Sequence, residues 1–357
     1  IWYLVLPLII SALITPVVKQ IGYRLDAFAQ MNERTVHHGK IVRIGGVAIY
    51  LAFIITMALY VKTDMAMNGI LIGSTIMFIG GLVDDLVNLK PLYKFSFQVV
   101  AAIVLIASGV TLDVIRLPLG ITINMGVVSF IVTFFWITGI TNAVNLIDGL
   151  DGLCGGISVI ILTVIAMLAV IEGRGDVEMI ALILVGATLG FLIYNAHPAS
   201  IFMGDCGALF LGFIISAISL LGFKSSTIMT LALPLLLLAL PIIDTLSAIL
   251  RRTLKGHKFS EADKSHIHHL LMNKFGHKNT VIIMCIVTAL FGLTAYVYMI
   301  NKGIGLISLF VIMLAVDLFI EGSGMISDKY HPILSVSRRI IRRLTRKKTI
   351  TDSDRTD

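Results

Sequence analysis

Apolar stretches of membrane-crossing length recur along the chain, separated by short polar joints. A hydrocarbon core about 30 Å thick takes roughly 20 apolar helical residues, fewer where a joint dips into protein. On that measure the pattern predicts eleven spans, at 1–18, 44–61, 69–83, 94–110, 126–141, 154–171, 178–194, 207–222, 227–250, 279–299 and 304–320. The third and fifth are short, and Asp113 to Asn124 reads as a small hairpin on the outer side. The expected fold class is all-α: a polytopic membrane protein of about eleven transmembrane helices with its active site on cytoplasmic loops. The opening stretch, Ile1 to Val18, has no initiator Met, basic lead or small-residue cleavage site, and reads as a first span or an uncleaved signal anchor. Residues 1–321 are expected to form one transmembrane catalytic domain and 322–357 a basic cytoplasmic tail.

The apolar pattern is broken most sharply by the run from Thr141 to Gly152, which places two amides and two acids at a joint between spans. Ionisable groups at membrane depth are expensive and usually functional. At 100° per residue Asn142, Asn145, Asp148 and Asp151 each step round by 60°, so the first and last lie on opposite sides of a continuous helix. They converge on one ligand only if the helix breaks, and Gly149 and Gly152 permit the break. The plainer alternative is a polar loop.

Composition agrees: 57% of residues are hydrophobic and 14% charged, with a mean hydropathy of +0.96, against about 25% charged in soluble domains. The net charge of +7 would suit nucleic acid, but in an eleven-span topology 23 of the 28 Lys and Arg residues fall on one face. Only Lys62, Arg116, Arg174, Lys224 and Lys302 lie on the other. The positive-inside rule makes the crowded face cytoplasmic, with the N-terminus outside and the C-terminus inside, and no nucleic-acid partner is needed. The tail run from Arg338 to Lys348, interleaved with Ile340, Ile341 and Leu344, suits either a helix lying on anionic membrane lipids or a solvated end. Cys154, Cys206 and Cys285 have no metal-ligand spacing and read as small apolar residues.

The same sorting brings the unusual polar residues to the cytoplasmic side. Asp84 and Asp85 end the third span; two adjacent carboxylates repel unless a cation is near, which suits a base or a metal site, and equally a solvated helix end. Lys94 heads the next span, either snorkelling or binding phosphate. Asp205, between Gly204 and Gly207, is a cap or a Mg²⁺ ligand; Mg²⁺ takes few protein oxygens and leaves room for water and phosphates, and Asp205 with Asn145 or Asp148 makes such a set. His266, His268 and His269, with Arg251 and Arg252, suit a diphosphate better than zinc, since no cysteine is near and two of the histidines face different ways, and a solvated basic loop is the plainer alternative. His37, His38, Lys40 and Arg43 add a cationic strip before Gly45-Gly46. A transporter would place ionisable groups along a path to both faces, and a scaffold would not need four acidic motifs on one.

Four motifs carry a resemblance: Gly81-Leu-Val-Asp84-Asp85, Asn142-Ala-Val-Asn145-Leu-Ile-Asp148-Gly-Leu-Asp151-Gly, Phe202-Met-Gly-Asp205 and Ser265-His266-Ile-His268-His269. In this order they resemble the polyprenyl-phosphate N-acetylhexosamine-1-phosphate transferases over nearly the whole membrane portion. The His-Ile-His-His pattern resembles the branch that moves GlcNAc-1-phosphate from UDP-GlcNAc to undecaprenyl phosphate, the other branch, phospho-MurNAc-pentapeptide transferase, having three consecutive histidines. Asn88 departs from the charged residue that relatives carry there. The resemblance implies Mg²⁺, with Mn²⁺ as a substitute, on Asp205 and Asn145, with Asp148 beside metal and diphosphate. It implies uracil near Gly149, Leu150 and Asp151 and stacked by Phe202, with Asn142 in the same substrate pocket. Asp84 and Asp85 would face the lipid phosphate with Lys94, while His266, His268, His269, Arg251 and Arg252 would steady the sugar diphosphate. Catalytic roles then fall to Asp84, Asp85, Asp148, His266 and His268. The expected reaction is direct attack of the lipid phosphate on UDP-GlcNAc, releasing UMP, as the first membrane step of a glycan such as teichoic acid; the competing route makes Asp148 a covalent nucleophile. Location in the bacterial plasma membrane and a homodimer, as in relatives, complete the expectation.

Overall fold

The structure is a computed structural model that describes residues 1–28, 40–60, 62, 64–116, 122–222 and 267–322. Its helices are α1 (Trp2–Arg24), α2 (Gly46–Tyr60), α3 (Met65–Val87), α4 (Pro91–Ala107), α5 (Val128–Ile147), α6 (Leu153–Ile171), α7 (Gly175–Asn195), α8 (Gly204–Gly222), α9 (Ile267–Phe275), α10 (His277–Ile300) and α11 (Lys302–Gly322). Two short strands, β1 (Val114–Arg116) and β2 (Thr122–Asn124), pair antiparallel with Val114 opposite Asn124, so the stretch expected to hold a hairpin does. Seven of these helices are long and apolar enough to cross a membrane, and α2, α4 and Lys302–Val316 are shorter apolar helices. Ten expected spans coincide with described helices; the expected span at 227–250 and the basic tail lie outside the described residues.

Helix ends follow local chemistry. Asp64 caps α3 by accepting from the Met67 N–H at 2.7 Å, and Pro91 opens α4 where its missing N–H has no intrahelical partner to lose. Hydroxyls inside the helices fold back: Thr15, Thr56, Thr141 and Thr288 donate to the carbonyls of Ser11, Ala52, Ile137 and Met284. Such bonds satisfy groups for which the bilayer offers no water.

Within residues 1–296, α8 is the central helix, buried along nearly its whole length and packed against α3, α5 and α2. In lipid such packing rests on close van der Waals fit rather than water exclusion, which favours small residues at contacts. Gly46 of α2 meets the backbone of Gly207 so closely that a Cβ would collide with it. Gly186 and Gly190 of α7 meet the Leu4 and Leu8 carbonyls of α1 in the same way, and Ser11 and Thr15 of α1 are fully buried. Tyr50 stacks on Phe78 with ring centroids 3.8 Å apart, and Phe210 sits edge-on to Tyr50 at 5.5 Å and to Phe53 at 5.4 Å. Each aromatic pair adds about 0.5–1.5 kcal/mol beyond area burial. Ile9, Leu13 and Val17 on α1 and Phe130, Ile131 and Phe135 on α5 stay exposed, as a lipid-facing surface requires. In the second unit, which begins at Val297, Asn301 accepts from the Gly303 and Ile304 N–H groups and caps α11.

Candidate active site

The site is built where helices end. The C-terminal carbonyls of α3 run out of helical donors after that of Asp84, which accepts from the Asn88 N–H, and the Arg43 guanidinium adds donors there. Its Nε donates to the Asp85 carbonyl at 2.8 Å, and its Nη2 donates to the Asp84 carbonyl at 3.0 Å and to Asn88 Oδ1 at 2.6 Å. A cation there also complements the negative end of the helix dipole. Asn88 closes α3 in the left-handed region with φ 51°, a conformation that Asn tolerates better than most side chains. Asp84 is fixed by accepting from the Leu89 N–H through Oδ1 at 2.7 Å, which leaves Oδ2 directed at Lys94, 3.5 Å away.

Asp85 points elsewhere. One helical step of 100° turns it into the interior, where Oδ1 accepts from the Asp205 N–H at 3.0 Å and Oδ2 from the Cys206 N–H at 2.9 Å. It therefore caps the N-terminus of α8, and Arg43 Nε lies 3.7 Å from its Oδ1. Gly204 precedes these residues with φ 73°, and a Cβ there would strike the Arg43 carbonyl and the Asp85 carboxylate. The approach to α8 is tied to residues 42–46 by backbone bonds from the Phe202 N–H to the Val42 carbonyl, the Gly45 N–H to Phe202, and the Gly46 N–H to Met203.

With its backbone held by Asp85, Asp205 opens its carboxylate to the next group of residues. Oδ1 accepts from Asn145 Nδ2 at 2.7 Å, and Oδ2 is paired with the Lys94 ammonium from the first turn of α4. Lys94 thus bridges Asp84 and Asp205. Asp148, just past the end of α5, lies among the same charges: burial first, then the carboxylates of Asp205, Asp85 and Asp151, push its pKa up to about 8, while the Gly204 N–H opposes the shift.

The Thr141–Gly152 run does break. α5 stops at Ile147, α6 starts at Leu153, and Gly152 carries the break with φ 74°. Asn142 stays on α5 and exchanges amide bonds with Gln98 of α4 at 2.9 and 2.8 Å, a strut between two helices. Gly149 is exposed, Leu150 is buried, and Phe202 is partly buried. Asp151 is buried, with Oδ2 accepting from the Ala199 N–H at 3.1 Å and lying 2.9 Å from His197 Nδ1. The structure therefore brings Asp84, Lys94, Asn145, Asp148 and Asp205 together, and turns Asp85, Asn142 and Asp151 toward other helices or loops. Arg251, Arg252 and His266 lie outside the described residues, as do the side chains of His268 and His269 on α9. The parts played by Arg43, Gln98, His197 and His277 were not read from the sequence, since each depends on a partner more than forty residues away.

Multi-pass apolar helices that meet at one cluster of carboxylates, an amide and a lysine define an integral membrane protein with a polar, ionisable site at its helix ends. Residues 67–223 match Glycosyl transferase family 4. The chain is 37% identical over 345 residues to the probable undecaprenyl-phosphate N-acetylglucosaminyl 1-phosphate transferase of Bacillus subtilis, covering 95% of this chain and 96% of that one. It is 32% identical over 315 residues to the decaprenyl-phosphate N-acetylglucosaminephosphotransferase of Mycobacterium tuberculosis, 78% of this chain and 76% of that one. It is 30% identical over 250 residues to the phospho-N-acetylmuramoyl-pentapeptide-transferase of Streptococcus uberis, 63% of this chain and 74% of that one. The protein belongs to glycosyl transferase family 4.

Proposed function

We propose that the protein transfers GlcNAc-1-phosphate from UDP-GlcNAc to undecaprenyl phosphate, giving undecaprenyl-diphosphate-GlcNAc and UMP. The observation that carries this reading is the bridge of Lys94 between Asp84 and Asp205, with Asn145 and Asp148 beside it, in a chain whose similarity to the Bacillus relative runs nearly end to end. The product is a lipid-linked sugar diphosphate, the kind of starting unit a surface glycan such as teichoic acid requires. Two substrates come from different phases, and a site at helix ends can meet both. The surplus of basic residues on one face supports eleven spans in a bacterial plasma membrane, the site on the cytoplasmic side and the N-terminus outside.

The donor set fits Mg²⁺. It is made of carboxylate oxygens and an amide, the hard ligands this ion prefers, and it already seats a positive charge in the Lys94 ammonium. Asp205 would hold the ion, with Asn145 and Asp148 beside it, and Mn²⁺ would serve in its place. When bound, the ion supplies charge neutralisation for the diphosphate. Lys94 orients the acceptor phosphate and screens it from Asp84, while Asp85 and Arg43 keep Asp84 and Asp205 in place. A phosphate monoester has its second pKa near about 6, so at neutral pH the acceptor is already dianionic and a general base has little to add. Alignment and charge neutralisation are then the main work, as in other phosphoryl transfers.

The test is UMP release by purified protein given undecaprenyl phosphate and Mg²⁺, with UDP-GlcNAc compared against other UDP-sugars. Release with UDP-GlcNAc that stops on chelation supports the reading; none with any UDP-sugar refutes it. Exchange of labelled UMP into UDP-GlcNAc without lipid acceptor would replace direct attack by a covalent intermediate on Asp148.

A further inference from the structure

Asp151, His197 and His277 meet from three separate stretches: the turn between α5 and α6, the loop after α7, and the first residue of α10. Their ligand-type atoms all lie within 4.8 Å of one another. His197 Nδ1 is 2.9 Å and His277 Nε2 3.9 Å from the same oxygen, Asp151 Oδ2, and the two imidazoles stack with centroids 4.2 Å apart and planes 23° from parallel. Asp151 is only 6% exposed, and its Oδ2 also accepts from the Ala199 N–H. An ionised carboxylate only accepts, so Nδ1 is the nitrogen of His197 that carries the hydrogen. The next residue is fastened too: the Gly152 N–H donates to Asn195 Oδ1 at 3.1 Å, and Asn195 Nδ2 donates to the Ile201 carbonyl at 3.0 Å. The turn that holds Gly149 and Leu150 is thereby bound to the 195–201 loop, and the His277 ring at the start of α10 stacks on that of His197. Gly276, with φ 77°, makes the corner that brings α10 there directly after α9.

We propose that Asp151, His197 and His277 form a clasp, His197 hydrogen-bonded to Asp151 and His277 stacked on His197, that holds the Gly149–Gly152 turn in the shape that receives the nucleotide, making both histidines positioning residues for the UDP half of the substrate. This rests on the transferase reading above. A role centred on the nucleotide follows from placement, because Asp151 belongs to the turn itself and the clasp touches none of the Asp84, Lys94 and Asp205 side chains.

The experiment uses the full-length protein in nanodiscs, with UDP-GlcNAc and undecaprenyl phosphate varied separately. His197→Ala should raise KM for UDP-GlcNAc about tenfold, the equivalent of one lost hydrogen bond, His277→Ala, which removes the stacked ring, should raise it by a smaller factor, and both should leave KM for the lipid within about twofold. His197→Asn, whose amide places an N–H where the imidazole had it, and His277→Phe, which keeps a stacked ring, should recover most of the loss. If an alanine variant does not fold, His197→Phe, which keeps a ring for His277 and removes the N–H, should show the same selective rise. Equal rises in both KM values, a fall in kcat alone, or His197→Asn no better than His197→Ala would overturn the clasp. So would about one equivalent of zinc, iron or manganese per chain, measured by elemental analysis and lost in the alanine variants, since the cluster would then be a metal site. Wild-type protein that releases no UMP from any UDP-sugar refutes the transferase reading; active wild type with unaffected variants refutes the clasp alone.

Discussion

Replacing Asp85 with Asn separates two roles that adjacent carboxylates would otherwise be presumed to share. The wild-type side chain accepts from two consecutive N–H groups at the start of α8, at 3.0 and 2.9 Å. An amide keeps one acceptor and turns an NH₂ group against the other N–H. Leaving that buried N–H unsatisfied costs about 1–3 kcal/mol, and losing a negative charge at a helix N-terminus costs about 0.3–1 kcal/mol more. Arg43 stays anchored by the carbonyls of Asp84 and Asp85 and by Asn88, so its loss is small. The sum is about 1–4 kcal/mol, which for a chain of this size lowers the melting temperature by roughly 1–5 °C. Asp84→Asn makes the control. Asp84 reaches Lys94 and the Leu89 N–H, so its loss should cut turnover with little change in melting. Thermal unfolding in detergent, followed beside UMP release, reads both quantities. An Asp85→Asn protein that melts with wild type while losing activity would refute the capping role and return Asp85 to direct work on the substrate.

Lys94→Met removes the one ammonium between Asp84 and Asp205 among the described residues and should lower turnover about 100-fold or more, the scale of losing one preorganised electrostatic contact; a rate within threefold of wild type would show that it only snorkels. Asp205→Ala should abolish Mg²⁺-dependent UMP release, and a near-normal rate would remove Asp205 from the metal site. Gly204→Ala combines a left-handed backbone, a penalty of about 1–2 kcal/mol for a residue with a Cβ, with a collision against the Arg43 carbonyl. It should melt earlier than Asp85→Asn, and equal or higher melting would mean that the α8 entrance is looser than its geometry.

Much of the scaffold was legible because lipid imposes a simple rule on sequence: length and hydropathy alone place α1 to α8, α10 and α11 within about six residues of their observed ends. The break in the Thr141–Gly152 run followed from helical geometry, which cannot converge four residues at a three-residue spacing without one. What pattern could not supply was partnership. Asp84 and Asp85 look equivalent in a linear reading, yet the partner of Asp85 lies 120 residues on, at the start of α8. Asn142 sits in the same motif as Asn145, but Gln98 on α4 takes its amide while Asn145 reaches Asp205. His197 and His277 are single histidines with no spacing to mark them, and only the fold shows their rings in contact.

The glycine contact between α1 and α7 bears on how the chain is made. Gly186 and Gly190 lie about 160 residues after the end of α1, so at a synthesis rate of roughly 5–20 residues per second the first helix waits on the order of 10–30 s for the surface it fits. During that interval the polar Ser11 and Thr15, sealed in the finished protein, lack the α7 face, and α2 is the other helix that packs substantially on α1 among the described residues. Assembly is therefore gated by the arrival of the seventh helix, and bulkier residues at Gly186 or Gly190 should leave a fully inserted chain whose first helix never docks and which the cell's membrane proteases would clear.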